Sequence, residues 1–111
     1  MQVNGAGNAL SLTALNTSVY YNYFNDLEQI NISGSGDNSL TLDKFDVFKM
    51  TDADNELYII GNAGDSLTAT GTWTQAVGGS DLVYGDYNSY TKLFMGEFEI
   101  TINVDTDITL V

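Results

Sequence analysis

Apolar and polar residues alternate one for one through the C-terminal stretch from Glu97 to Val111. Phe98, Ile100, Ile102, Val104, Ile108 and Leu110 share one parity, and Glu97, Glu99, Thr101, Asn103, Asp105 and Asp107 share the other. A period of two with β-branched enrichment predicts a strand with one buried face. The run is long for a single strand, so a bend is expected near Asp105 to Asp107. Shorter pieces repeat the alternation: Leu10, Leu12 and Ala14; Ile30 and Ile32; Leu40 and Leu42. The unbroken apolar run Leu57 to Ile60 predicts a central strand buried on both sides. Tyr90 to Met95 precedes Gly96 and the final strand, which predicts a hairpin turning at Met95-Gly96.

One segment departs from period two. Leu42, Phe45 and Phe48 lie three apart, Asp43 can cap a first turn, and Asp46 suits the positive end of the helix dipole. One short helix is therefore expected over residues 43–50, followed by a polar turn from Thr51 to Asn55. The stretch from Thr74 to Asn88 contains Gly78-Gly79 and Gly85-Asp86 and predicts a loop or loose hairpin.

A turn pattern recurs. Gly5-Ala6-Gly7-Asn8, Gly34-Ser35-Gly36-Asp37 and Gly61-Asn62-Ala63-Gly64-Asp65 each precede a leucine-containing strand, and their first glycines lie 29 and then 27 residues apart. Repeats of this length fit coils stacked one on another, although β-proteins also reuse such turns singly. The fold expected is mainly β: a roll or solenoid-like stack of strand-turn-strand units with one short helix, or alternatively a compact antiparallel sandwich. The expected core comprises Leu10, Leu12, Ile30, Ile32, Leu40, Leu42, Phe45, Phe48, Leu57, Ile59, Leu67, Phe98, Ile100, Ile102 and Val104.

Charge narrows the function. The 111 residues carry fifteen Asp and Glu against three basic residues, Lys44, Lys49 and Lys92, for a formal net charge of −12. Binding to a phosphate backbone or an anionic membrane surface needs clustered Lys and Arg, so neither role is expected. No cysteine is present, so no disulfide framework forms. Without His or Cys, the usual general base, thiol nucleophile and zinc ligands are missing, and no enzyme is expected. Glu97 and Glu99 could suggest a glycosidase pair, but they read as the solvated side of an alternating strand. Met1-Gln2-Val3-Asn4 lacks the basic start and apolar stretch of a signal peptide. Residues 1–111 are expected to form a single module cut from a longer chain whose export signal lies elsewhere.

The succession from Asn25-Asp26-Leu27 through Ile30-Asn31-Ile32-Ser33-Gly34-Ser35-Gly36-Asp37-Asn38-Ser39-Leu40-Thr41-Leu42 resembles modules in the C-terminal regions of giant RTX-type bacterial adhesins. So do Phe45-Asp46-Val47-Phe48, Asn55-Glu56-Leu57-Tyr58-Ile59-Ile60-Gly61-Asn62-Ala63-Gly64-Asp65-Ser66-Leu67, Trp73-Thr74 and the closing Val104-Asp105-Thr106-Asp107-Ile108-Thr109-Leu110. The resemblance covers residues 25 to 111. It implies type I secretion, folding outside the cell in calcium, and a place at the bacterial surface. The calcium-binding nonapeptide of RTX rolls is absent as a tandem run, and Gly61-Asn62-Ala63-Gly64-Asp65 is at most a half-site.

Calcium is the expected cofactor. It takes six to eight hard oxygens from carboxylates, carbonyls and Asn side chains. Asp37, Asp65, Asp52, Asp54, Asp105 and Asp107 fall at predicted turns or bends, where carbonyls are also free. The bland alternative for any one of them is a solvated acidic turn. Asp52-Ala53-Asp54-Asn55-Glu56 has the alternate donors that open an EF-hand loop, but lacks its glycine and distal glutamate. A second reading concerns the aromatic residues Tyr20, Tyr21, Tyr23, Trp73, Tyr84, Tyr87 and Tyr90. Flat amphipathic rings stack on sugars, and Trp73, Tyr84, Tyr87 and Tyr90 are the candidate contacts, weighed against their filling a β-core. The function expected is a non-catalytic structural or adhesion module of a large secreted bacterial surface protein, with a glycan- or protein-binding module as the alternative. Neighbouring modules of the same chain, and a glycan or surface protein, are the expected partners.

Overall fold

A computed structural model describes residues 7, 9–11, 29–34, 36–51, 55–81, 85–94, 96 and 98–111. These form β1 (Ala9–Ser11), β2 (Gln29–Asn31), β3 (Ser39–Leu42), α1 (Lys44–Met50), β4 (Glu56–Ile60), β5 (Ser66–Ala69), β6 (Thr74–Asp81), β7 (Gly85–Phe94), β8 (Phe98–Asp105) and β9 (Thr109–Leu110). The strands make two sheets, ordered β1-β3-β5-β9 and β2-β4-β8-β7-β6. The first sheet is parallel throughout. In the second, β2-β4-β8 are parallel, and β8-β7-β6 form an antiparallel meander.

The chain changes sheet at three tight turns: β2 leads to β3, β4 to β5, and β8 to β9. Each such pair is one level of a roll, and the levels stack through parallel pairing. The expected roll is therefore the fold. Its two sheets face each other as the layers of a sandwich do, but antiparallel pairing is confined to β6, β7 and β8. The β6–β7 hairpin sits between β5 and β8 in sequence and extends one sheet past the last level. This insertion explains why the regular spacing fades after the second repeat.

Alternation fills the interior. Leu40 pairs with Leu67, and Leu67 with Leu110. On the facing sheet, Ile30, Ile59 and Val104 make one row, and Leu57, Ile102 and Tyr90 another. Ile30, Ile32, Leu40, Leu42, Leu57, Ile59, Leu67, Ile100, Ile102 and Val104 are buried as expected, joined by Val47 and Ile108. Each fully buried Leu or Ile contributes about 1.5–3 kcal/mol relative to exposure.

Turn chemistry locks one level to the next. Asp65, fully buried, accepts the Asn38 N–H at Oδ1 (2.9 Å) and the Asn62 N–H at Oδ2 (2.7 Å). Asn38 lies 27 residues earlier, so this carboxylate spans two levels while closing its own turn. Asn62 Nδ2 donates to Ser33 O (2.7 Å), 29 residues away, and Asn38 Nδ2 to Ile32 O (3.0 Å). Gly64 has φ +99°, and a side chain there would run into the Asp37 carboxylate of the neighbouring level. The second and third of the recurrent turns, ending at Asp37 and Asp65, are thus corners of the roll; the first lies largely outside the described residues.

α1 forms where expected. Asp43 accepts the Asp46 N–H, Asp46 accepts the Asp43 N–H, and the two close a capping box. The bend after Asp105 is present, with Asp105 Oδ1 accepting the Asp107 N–H (3.0 Å) and the Asp105 carbonyl accepting the Ile108 N–H (3.0 Å). β7 and β8 pair as a hairpin up to Phe94 and Phe98, enclosing Gly96. The 74–88 stretch is the β6–β7 hairpin, with its register slipping between Ala76 and Gly79.

Several expectations are corrected. Phe98 is 40% exposed rather than core. It begins β8 at the hairpin end, its ring tilted against Phe48 with centroids 5.4 Å apart. Phe48 is correspondingly half-buried against the core. Val47 is fully buried on α1, a position that the three-residue spacing had not marked. β4 is central but not buried on both sides: Leu57 and Ile59 are buried, while Tyr58 and Ile60 are partly exposed. Leu12, Ala14, Glu97 and the side chains of Leu10 and Phe45 lie outside the described residues.

Candidate functional site

The connector from β5 to β6 carries the one tryptophan of the chain. Thr70 anchors it, with both its N–H (2.9 Å) and its hydroxyl (3.0 Å) donating to Leu42 O. Gly71 takes φ +89°, a turn that L side chains rarely adopt. Lys92 Nζ then donates to Thr72 O (2.8 Å), fastening the connector to β7. Trp73 is left half-buried, its Nε1–H donating to Thr70 O (3.1 Å). With the indole donor used internally, the ring itself is what remains for contact.

Tyr90 stands opposite Ile102 on one side and Gln75 on the other, so the three share the inward face of their sheet. Here that sheet runs past its partner, in which β9 is the outermost of the described strands. The result is a surface cleft of about 440 Å³ lined by Ala69, Gly71, Thr72, Trp73, Gln75, Tyr90, Leu110 and Val111. Trp73 and Tyr90 form its inner wall, packed on the core. The lining holds aromatic and aliphatic surface, the Gln75 amide, the Thr72 and Tyr90 hydroxyls, and no Asp or Glu. Such a wall suits contact with a flat or extended partner having an apolar face.

The aromatic candidates are only partly gathered. Trp73 and Tyr90 meet in the cleft. Tyr87 has the opposite parity to Tyr90 and lies on the other face, its ring edge-on to Tyr58 with centroids 5.5 Å apart. Tyr84, like Tyr20, Tyr21 and Tyr23, lies outside the described residues. Sequence reasoning missed Gln75, Leu110 and Val111 as part of this place. The parity of Leu110 did mark it as inward-facing, but not that its neighbours would stop short.

The acidic candidates are dispersed. Asp37 and Asp107 are exposed, Asp105 is half-buried and Asp65 is buried. Asp65 has both oxygens engaged by backbone N–H groups, and Asp105 Oδ1 is engaged by its own turn. Among the described residues no three Asp, Glu, His or Cys side chains converge on a metal-sized site. At any one of these carboxylates, carbonyls and Asn side chains would have to supply most of the six or more oxygens that calcium takes. Asp52 and Asp54 lie outside the described residues. On the outer face, Ser89 Oγ donates to Asn103 Oδ1 (2.6 Å), and Asn103 Nδ2 is buried without an acceptor. No family model, curated protein or solved structure matches the chain.

Proposed function

We propose that the chain is a non-catalytic structural or adhesion module of a large secreted bacterial surface protein. The observation that supports this is the bonding from level to level. Asp65, Asn62 and Thr70 each reach the preceding level with a side chain. Stacks held by nearest-neighbour contacts gain length and stiffness by repetition, which suits a spacer or a display surface. Reproducible turnover in a panel of ester, glycoside and phosphoester substrates would retire the non-catalytic reading.

Calcium belongs to the proposal through charge. With a net charge of −12, self-repulsion opposes the compact state, and a divalent cation held at the exposed turns relieves it. One site filled at about 100 times its dissociation constant adds about 2.7 kcal/mol, which is about 10 °C in melting temperature at this size. Melting curves in millimolar calcium and in chelator should differ on that scale, beyond what magnesium produces. Superimposable curves would remove calcium from the proposal and leave the structural part standing.

The cleft favours a second reading, a module that binds a glycan or protein through Trp73 and Tyr90. A saturable change in tryptophan emission, lost in Tyr90→Ala, is the expected sign. A signal blind to every glycan and peptide offered would retire it.

A further inference from the structure

A cation stands at the rim of the cleft. The Lys92 side chain lies directly on Gly71, where a Cβ would come within 2.7 Å of Nζ and 3.3 Å of Cε, and Nζ donates to Thr72 O (2.8 Å). Gly71 and Thr72 both line the cleft. Glycine at 71 therefore allows the turn and also lets the lysine cross the connector. Among the described residues the bonding partner of this ammonium is a carbonyl, not a carboxylate, in a chain with fifteen Asp and Glu against three Lys. An ammonium has three N–H groups, so two remain for a ligand. No Asp or Glu stands in the lining to compete for them. Lys92 follows Tyr90 by two residues on β7 and shares its inward parity, which puts their Cα atoms about 7 Å apart on one face.

We infer that the cleft takes a glycan carrying uronic acid, with Lys92 as the residue that selects the carboxylate. The inference rests on the second reading above, in which the cleft binds a ligand through Trp73 and Tyr90. The C–H face of the sugar lies on the two rings, its carboxylate accepts from Lys92 Nζ, and Gln75, opposite Tyr90 on β6, has an amide to meet a ring hydroxyl. Two aromatic rings and a single lysine suit one flat ring bearing one carboxylate. An acidic peptide would bring more charge than one lysine answers. The −12 of the whole chain acts against every anion, but salt screens it beyond about 8–10 Å, whereas the lysine acts in contact. Stacking thus sets how tightly a sugar is held, and Lys92 sets the preference for an acidic one.

The test titrates the full chain in about 0.15 M salt, where that screening holds, and follows Trp73 emission. The probes are oligogalacturonate, its methyl ester, which keeps the ring and removes the charge, and an oligoglutamate peptide. The acid should bind about three- to tenfold more tightly than the ester, the range for a partly exposed charge-assisted bond. Lys92→Gln should erase that preference with the ester affinity unchanged, and Lys92→Arg should keep it, with melting curves to confirm that both variants fold. If they do not fold, the acid and the ester compared on the unaltered chain still decide. Equal binding of acid and ester, or a preference that survives Lys92→Gln, would overturn the inference and leave the cleft a glycan site. Tighter binding of the peptide than of the oligogalacturonate would overturn it in favour of a protein partner. Emission silent to all three probes would retire the inference together with the reading beneath it.

Discussion

Replacing Asp65 by asparagine should destabilise the roll by about 2–4 kcal/mol. The side chain is fully buried and its two oxygens receive one backbone N–H each, from Asn38 at 2.9 Å and Asn62 at 2.7 Å. An asparagine keeps one acceptor and turns a donor toward the other N–H. One charge-assisted bond, worth about 1.5–3 kcal/mol, is lost, and a buried N–H is orphaned at about 1–3 kcal/mol. Opposing this, a neutral amide is less costly to bury than a carboxylate, which is why the total falls below the simple sum. At roughly 4 °C per kcal/mol for a domain of this size, the melting temperature should drop by about 8–16 °C. Urea unfolding followed by circular dichroism should give the same free energy with an unchanged slope. The comparison is made both in chelator and in millimolar calcium. A loss equal in the two conditions assigns Asp65 to the backbone. A shift of less than about 2 °C would refute the bonding argument, and a loss seen only in calcium would return Asp65 to the metal.

Two further substitutions probe the corners and the helix. Gly64→Ala puts an L residue at φ +99° and should cost about 1–3 kcal/mol by thermal melting, through backbone strain, since the exposed Asp37 carboxylate that the new Cβ would meet can swing aside. Asp43→Ala removes the acceptor for the Asp46 N–H and opens the capping box of α1. A loss of about 1 kcal/mol is expected, measured by the same melts.

The elements themselves were written in local chemistry. Alternation at Phe98 to Val104 and at Leu40 to Leu42, an Asp at the head of the only three-spaced apolar segment, and Gly/Asp corners at regular intervals predicted strands, helix and a coiled stack. These are local signals: which face is apolar and which turns can form depend on residues within a few positions of one another. The strong negative charge and the absence of His and Cys likewise bounded the chemistry before any strand was placed.

Tertiary structure alone decided what those elements surround. Phe98 and Leu110 share the parity of the buried isoleucines, yet both are exposed, because burial depends on whether another strand lies across from them. Asp65 could be read from sequence only as an acidic turn residue, and the pairing of β3 with β5 brought the Asn38 N–H to one of its oxygens. Trp73 and Tyr90 face one cleft because a hairpin inserted between β5 and β8 carries its sheet past the end of the other. Parity is fixed by the backbone of one strand, but neighbours are chosen by the packing of all of them, and that choice made both the corner carboxylate and the cleft that Trp73 and Tyr90 line.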